Sequence, residues 1–449
     1  MAKRTKDETQ PEQPIQEMDA AALSKLLIRS FNKDEAKTGK IAWNLLDENS
    51  PTDVKEFIST GNTLLDYCIA NREGGGVPVG KLTEISGEEA SGKSLVCAHI
   101  AKNTQAKGGV VAYLDSENAM NPEFAQQIGV DLKRMIYIQP GTVEEAGAAI
   151  EKMILLTRQK SPNQLVTIIW DSVTQTPTRV EVEGEYDINM NVQMEKPKAL
   201  GKMMRKLIDV IGKERICLVF TGQLKFKPGV MYGDPTFVPG GKAVPYASSV
   251  RIQLKRGGTE KEGGDKESGE LGKGDVMGVN TTAKVIKNRM GPPLRKCKFF
   301  ISFAHGVEDE QSWFEFLCDR GVFEKNNGFV RAPEFQPVLQ QYWLDEAKKA
   351  KEQLAKEQDP EKQKQAQRLI KTFEEYATKA VPNENNKYGW QFRGSAWMET
   401  LNETPALKPW ILKKLDELLV VKYGAKPVDA ELDEESMLEV DQVVSDLLE

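Results

Sequence analysis

The stretch GEEASGKS, Gly87 to Ser94, carries two glycines, a lysine and a hydroxyl at the spacing G-x-x-x-x-G-K-[ST], and its flanks decide what it means. Before it, KLTEIS alternates as a strand; after it, SLVCAHIAKNTQ reads as a helix. Strand, loop and helix in that order make a phosphate cradle. Gly87 and Gly92 let the backbone curl so that N–H groups of Glu88, Glu89, Ala90 and Ser91 point inward, and the helix N-terminus adds partial positive charge. Lys93 then suits the outer phosphates of a bound triphosphate, and Ser94 suits a magnesium ion.

Outward from this loop, short apolar strands alternate with helices. The pattern predicts strands at 110–115 (VVAYLD), 135–139 (MIYIQ), 166–171 (VTIIWD) and 216–223 (ICLVFTGQ), with helices near 121–128, 143–158 and 195–213 between them. That alternation implies an α/β fold with a mainly parallel sheet covered on both faces. Ligands of such sheets bind at the carboxyl ends of the strands. Asp171 ends one strand, where phosphate-loop proteins keep a magnesium-side acid, and Glu117 follows another, where a carboxylate can orient and deprotonate a water. Gln223 ends a third and offers an uncharged amide suited to sensing a γ-phosphate. Each of the three also reads as an ordinary polar residue at a strand end.

Composition narrows the classes. The chain has 449 residues, 39% of them hydrophobic and 29% charged, which suits a chain of more than one domain with a sizeable core. No apolar run reaches membrane-span length, and the opening MAKRTKDETQPEQPIQ has no hydrophobic segment of the signal-peptide kind, so the chain is expected to stay in the cytoplasm. Cys68, Cys97, Cys217, Cys297 and Cys318 form no CxxC pair, and only His99 and His305 could add imidazole, which argues against a disulfide framework or a zinc site. The net charge of -6 argues against a uniformly basic nucleic-acid binder but leaves a local basic surface open.

The rest of the chain divides by composition. Residues 1–17 are polar and read as a disordered lead; MDAAALSKLLIRSF, 18–31, has helical apolar spacing. Residues 257–275 read as a glycine-rich charged loop, and 345–380 as two charged helices divided at Pro360, on charge pattern alone a solvated insert. The segment 388–421 has aromatics and leucines enough for a small core. From Val428 onward nine acidic side chains occur with no basic one, an acidic tail whose default role is solubility.

In order along the chain stand EFISTGNTLLD, EISGEEASGKS, AYLDSENAMNPEFAQQIGV, WDSVTQTPTRVEVEGE, MRKLIDVIGK, FTGQLKFKPGVMYGDP, GGKAVPYASSVRI and KVIKNRMGPP. This series resembles the RecA recombinase family, bacterial or phage-borne, closely over about 18–325 and loosely beyond. The resemblance implies a RecA-type ATPase core over 56–325 with two DNA-binding loops, an N-terminal assembly helix and linker over 18–55, and a small α/β C-terminal domain over 326–427 that carries the 345–380 insert. It implies ATP and magnesium as cofactors, single- and double-stranded DNA as partners, and a homo-oligomeric helical filament in a nucleoid-associated pool. Loading or single-strand-binding proteins are possible further partners, and no membrane is implied.

By the same resemblance Glu117 matches the catalytic glutamate, Asp171 the acid supporting magnesium, and Gln223 the switch that reports nucleotide state. Phe124 falls where the family stacks an aromatic on adenine, although on its own it reads as a core aromatic. Lys287 and Arg289 match the basic pair that reaches a neighbouring protomer's ATP, with Arg289 where bacterial relatives usually carry lysine. DNA contact is implied for loops 182–197 and 224–239: Lys198, Arg205, Lys225 and Lys227 for phosphates, Met231 and Tyr232 for bases, with Gly240 and Gly241 following. The acidic tail would compete with DNA for the basic groove. Two other classes stay open, an ATP-binding accessory filament without strand exchange and a hexameric helicase of the same fold; the Lys287/Arg289 pair and GGKAVPY speak against the second.

Overall fold

The computed structural model describes residues 19–33, 40–44, 54–118, 120–184, 190–212, 214–226, 236–261 and 274–422. A two-residue ladder of β1 (Phe57–Ile58) with β2 (Val77–Pro78) leads into the main sheet. The strands that follow are β3 (Leu82–Gly87), β4 (Val110–Asp115), β5 (Met135–Ile138), β6 (Val166–Asp171) and β7 (Ile216–Gln223). A short ribbon pairs β8 (Lys225–Phe226) with β9 (Thr236–Phe237). Then come β10 (Val250–Lys261), β11 (Val276–Asn288), β12 (Lys296–Ser302) and β13 (Gly306–Glu308). The nine-stranded order is β13-β12-β11-β10-β3-β7-β6-β4-β5. The strands from β10 to β5 pair in parallel, and β11 to β13 extend the sheet antiparallel. This is the mainly parallel α/β sheet, covered by helices, that the alternating pattern predicts.

The period-two alternation of strand side chains builds both cores. In β6, Ile169 joins the apolar cluster on one face, while Ile168 and Trp170 join the other, where Trp170 meets Phe220 edge-on at 5.2 Å. The helix Val143–Lys160 covers that second face because Val143, Ala146, Gly147, Ile150 and Ile154 recur at helical spacing. Thr142 caps its N-terminus, acids fill its first turn and bases its last, which suits the helix dipole. The helix Met190–Ile211 lies beside it, with Leu200, Met203, Met204, Leu207 and Ile211 buried.

Two expected boundaries move. The glycines at 257 and 258 do not end β10, which runs to Lys261: register shifts between Arg256 and Thr259 absorb them as a bulge. The first expected DNA loop is shorter than 182–197, since a capping box of Thr178 and Glu181 opens a helix over Arg179–Glu183, and the next helix starts at Met190 and runs through Pro197. Of the charged segment beyond 257, residues 262–273 lie outside the described residues.

Beyond β13 the helix Asp309–Asp319 leads to a small sheet of β14 (Glu324–Asn326), β15 (Phe329–Arg331) and β16 (Gln391–Arg393). The helices Gln336–Leu354 and Pro360–Ala380 form an antiparallel hairpin between the last two strands, sealed by Trp343 stacking on Phe373 at 5.5 Å. Pro360 begins the second helix with Asp359 as its cap, where the missing proline N–H costs nothing. The aromatics Phe314, Phe323, Phe392 and Trp397 pack together and are continuous with the cluster under the main sheet. Arg295 donates to the Leu419 carbonyl at 2.6 Å and Trp397 to that of Glu310 at 3.0 Å, so Val54–Val421 forms one compact unit. The other unit, 1–53 with 422–449, contains a described helix Ala20–Phe31, capped by Asp19, whose Leu23, Leu27 and Phe31 are exposed at one-turn spacing. The lead 1–17 and the acidic tail lie outside the described residues. Among the described residues no helix is long and apolar enough to cross a membrane.

Buried carboxyls, Asp66 above all, make the stability of the Val54–Val421 unit depend on pH. Asp66 accepts from the Ser59 hydroxyl at 2.5 Å and from the N–H and hydroxyl of Thr60 at 2.8 and 2.7 Å, yet burial outweighs these donors and pushes it up to about 7. The negative charge of Asp309, itself pushed up to about 6 by burial, adds to the rise. A raised folded-state value means that the folded chain holds a proton the unfolded chain releases. Its stabilising contribution is complete below the ordinary value of 3.8 and is lost as pH rises through about 7. Asp66→Asn is therefore expected to flatten the fall of Tm across that window, measured by calorimetry against the unsubstituted protein. An unchanged slope would remove Asp66 as its source.

Candidate nucleotide and DNA site

The phosphate loop joins β3 to the helix Lys93–Ala106. Its curl rests on Ala90 and Gly92, which take φ of 55° and 94°, rather than on Gly87. Close approach explains both glycines. A Cβ on Gly92 would overlap the Ile301 side chain, and one on Gly87 would overlap the Ser91 hydroxyl and lie 2.8 Å from the Leu254 carbonyl. Ser91 donates to the Glu88 carbonyl at 2.8 Å, tightening the turn. Lys93 is buried and donates from Nζ to the carbonyls of Glu88 at 2.8 Å and Gly87 at 3.2 Å. Burial pulls its pKa down, and the charges of Asp171 and Glu117 pull it back up, so both carboxylates share the electrostatic surroundings of the ammonium. Glu89, Ala90 and Ser94 are exposed at the mouth of the loop, and Glu88 is half-buried.

Asp171, at the end of β6, accepts from the Tyr113 hydroxyl at 2.7 Å and the Thr221 hydroxyl at 2.5 Å. Two donors fix its carboxylate, and burial, reinforced by its charge, drives the Tyr113 phenol well above its ordinary value. Glu117 sits in the turn after β4, where Asp115 accepts from the N–H groups of Glu117 and Met120, both at 3.0 Å. Its Oε1 accepts from the Ser172 hydroxyl at 2.5 Å and lies 3.5 Å from the side-chain nitrogen of Gln223. Gln223 is held in turn: its N–H donates to Thr174 Oγ1 at 3.0 Å, and its Oε1 accepts from Gln175 at 2.9 Å. Thus Lys93, Asp171, Glu117 and Gln223 come together at the carboxyl ends of β3, β4, β6 and β7. The donor set of hydroxyl and carboxylate oxygens, Ser94 and Asp171, fits the hard-oxygen preference of magnesium. Sequence reading missed the residues that position Asp171, Glu117 and Gln223: Tyr113, Asp115, Ser172, Thr174, Gln175 and Thr221.

The remaining expected residues lie elsewhere. Phe124, in the helix Pro122–Ile128, is half-buried against the apolar cluster. Lys287 pairs in register with Arg251, whereas Leu254 pairs with Gly87 through β3 and with Ala283 through β11. Lys287 and Arg289 therefore stand at the opposite end of the strands from their own phosphate loop. Lys287 donates to the carbonyls of Pro245 and Tyr246 at 2.9 and 3.0 Å, and burial together with the Arg289 charge lowers its pKa. Arg289 donates its N–H to the Ser249 carbonyl.

On the candidate DNA face, Lys198 is exposed and pairs with Glu195 at 3.0 Å, and Arg205 is exposed further along the same helix. Lys225 is exposed in β8, whose pairing with β9 closes the stem of the second loop; Phe226 and Phe237 are exposed there as well. Lys227, Met231 and Tyr232 lie outside the described residues. Gly240 and Gly241 have φ of 102° and 84°, and a Cβ on Gly241 would come 3.0 Å from Pro197, so this segment packs against the helix after the first loop.

A glycine-walled phosphate loop with a buried lysine and strand-end carboxylates defines a nucleotide-binding site of the phosphate-loop class on a largely parallel sheet. Residues 25–308 match the family described as RecA N-terminal domain. The chain is 32% identical over 304 residues to Protein RecA of Heliobacterium modesticaldum, covering 68% of this chain and 82% of that protein. It is 34% identical over 318 residues to Protein RecA of Ruminococcus albus, covering 71% and 74%, and 33% identical over 314 residues to that of Cereibacter sphaeroides, covering 70% and 81%. The chain belongs to the RecA family.

Proposed function

We propose that this protein is an ATP-dependent DNA strand-exchange recombinase: it polymerises on single-stranded DNA, pairs it with homologous duplex, and turns the filament over by hydrolysing ATP to ADP and phosphate. The observation that carries the reading is the course of β7. Its last residue, Gln223, lies beside Glu117, and within two residues the chain reaches Lys225 at the stem of the second loop. A nucleotide-sensing amide and a DNA-contacting loop are then one continuous segment.

Glu117 orients the attacking water and takes its proton, and Lys93 with the loop N–H groups stabilises charge developing on the phosphates. Ser94 and Asp171 would hold magnesium, which supplies electrostatic stabilisation of the phosphoryl oxygens. Lys287 and Arg289, too far along the strands to serve their own loop, serve that of the next protomer, so assembly completes the site. The exposed stripe Leu23, Leu27 and Phe31 suits the helix Ala20–Phe31 to packing on a neighbour. Phe124 takes the adenine. Lys198, Arg205, Lys225 and Lys227 contact DNA phosphates, Met231 and Tyr232 space the bases, and Gly240 and Gly241 let the segment after the second loop approach the DNA beside the helix of the first. The reading places the protein with DNA in the cytoplasm.

Electron microscopy of the protein with single-stranded DNA, ATP and magnesium tests assembly. Regular helical filaments are expected; closed rings or dispersed particles would contradict the reading.

A further inference from the structure

One described side chain of the first candidate DNA loop reaches the turn beside the hydrolytic residues. Lys196, in the helix Met190–Ile211, donates from Nζ to the Thr174 carbonyl at 2.8 Å. Thr174 belongs to the turn that leaves β6. Its hydroxyl oxygen accepts the Gln223 N–H at 3.0 Å and lies 3.2 Å from the Ser172 hydroxyl, which donates to Glu117. The next residue, Gln175, donates to the Gln223 side chain. The ammonium-to-carbonyl bond therefore ties the helix to a four-residue turn, itself anchored by Ser116 Oγ and the Thr221 carbonyl, that touches both Glu117 and Gln223.

Three features argue that this bond is more than surface decoration. Lys196 is half-buried, and burial lowers its pKa, so its charge is held there at a cost in hydration. The charges that face it come from two other elements: Glu181, in the helix before the first loop, and Lys225, in the stem of the second. Its neighbour Pro197 packs on Gly241, at the far end of the second loop. Lys196 thus stands where both loop stems meet the turn that carries the hydrolytic contacts.

We propose that Lys196 is a positioning residue that couples DNA engagement to hydrolysis: by holding the 172–175 turn it sets Gln223 directly, and Glu117 through Ser172. The inference rests on the recombinase reading and adds to it a residue that does not itself touch nucleotide. A DNA strand that shifts the start of the Met190–Ile211 helix moves the ammonium, and the turn follows.

The test is steady-state ATP hydrolysis by the full chain at saturating single-stranded DNA. Lys196→Met keeps the length and removes the cation. Its kcat is expected to fall about tenfold with the KM for ATP nearly unchanged, because a small displacement of positioned groups acts on the chemical step. Lys196→Arg is expected to recover part of the loss. In a Gln223→Ala background Lys196→Met is expected to cost less than it does alone, since residues that share a contact are not additive and only the route through Ser172 to Glu117 is left. The salt dependence of DNA binding is expected to stay as it was, because no phosphate contact is lost.

An unchanged kcat, fully additive losses, or a shallower salt dependence would each overturn the proposal, the last by making Lys196 a phosphate ligand. If the unsubstituted chain shows no stimulation by DNA, the recombinase reading falls and the inference with it; normal stimulation with an indifferent Lys196→Met overturns the inference alone.

Discussion

Glu117→Gln is expected to lower ATP hydrolysis by about 10²- to 10⁴-fold, the range a positioned general base contributes, while the protein still binds ATP. The carboxylate is well prepared for that role. Asp115 pins the backbone of its turn, and Ser172 donates to one oxygen at 2.5 Å, which leaves the other for a water. Glutamine keeps the shape and can still face Ser172, so binding and fold should survive. Phosphate release and titration with a fluorescent ATP analogue separate the two effects. If hydrolysis persists within about threefold, less than 1 kcal/mol of barrier, Glu117 is not the base.

Lys93→Ala is expected to act on binding as well as chemistry. Its Nζ is buried against the Gly87 and Glu88 carbonyls, at the floor of the loop. Loss of one preorganised charged donor costs roughly 10²- to 10³-fold in rate, and here it also removes the cation that offsets phosphate charge. The same titration should therefore show weakened ATP binding, in contrast to Glu117→Gln. Retained affinity would mean that the loop N–H groups and helix terminus suffice without the lysine.

How much of this was legible in the chain depends on the kind of signal. The strands 110–115, 166–171 and 216–223 stand where their unbroken apolar runs placed them, because burial on both faces leaves little room for another reading. The phosphate loop was legible from spacing, although its left-handed residue at Ala90 was not, since only the cradle forces a non-glycine into that region. The support of Glu117 and Gln223 was hidden for a different reason. Thr174 and Gln223 meet across 49 positions of sequence, and no local pattern announces a contact between a turn and a strand end.

The lysines of the first loop make the same point. Sequence reading chose Lys198, which the helix turns outward to pair with Glu195, and passed over Lys196, which points back at the Thr174 carbonyl. Two residues apart on a helix is more than half a turn, so neighbouring cations take opposite tasks. The pair Lys287 and Arg289 was visible as a motif, but its distance from its own phosphate loop follows only from the strand register.

The measurement that tests the central claim most directly is the rate of ATP hydrolysis with and without single-stranded DNA, using Lys93→Ala as the control for contaminating activity. A DNA-stimulated rate that Lys93→Ala abolishes is the predicted result. Hydrolysis indifferent to DNA would contradict the coupling of Gln223 to the second loop, and with it the recombinase reading.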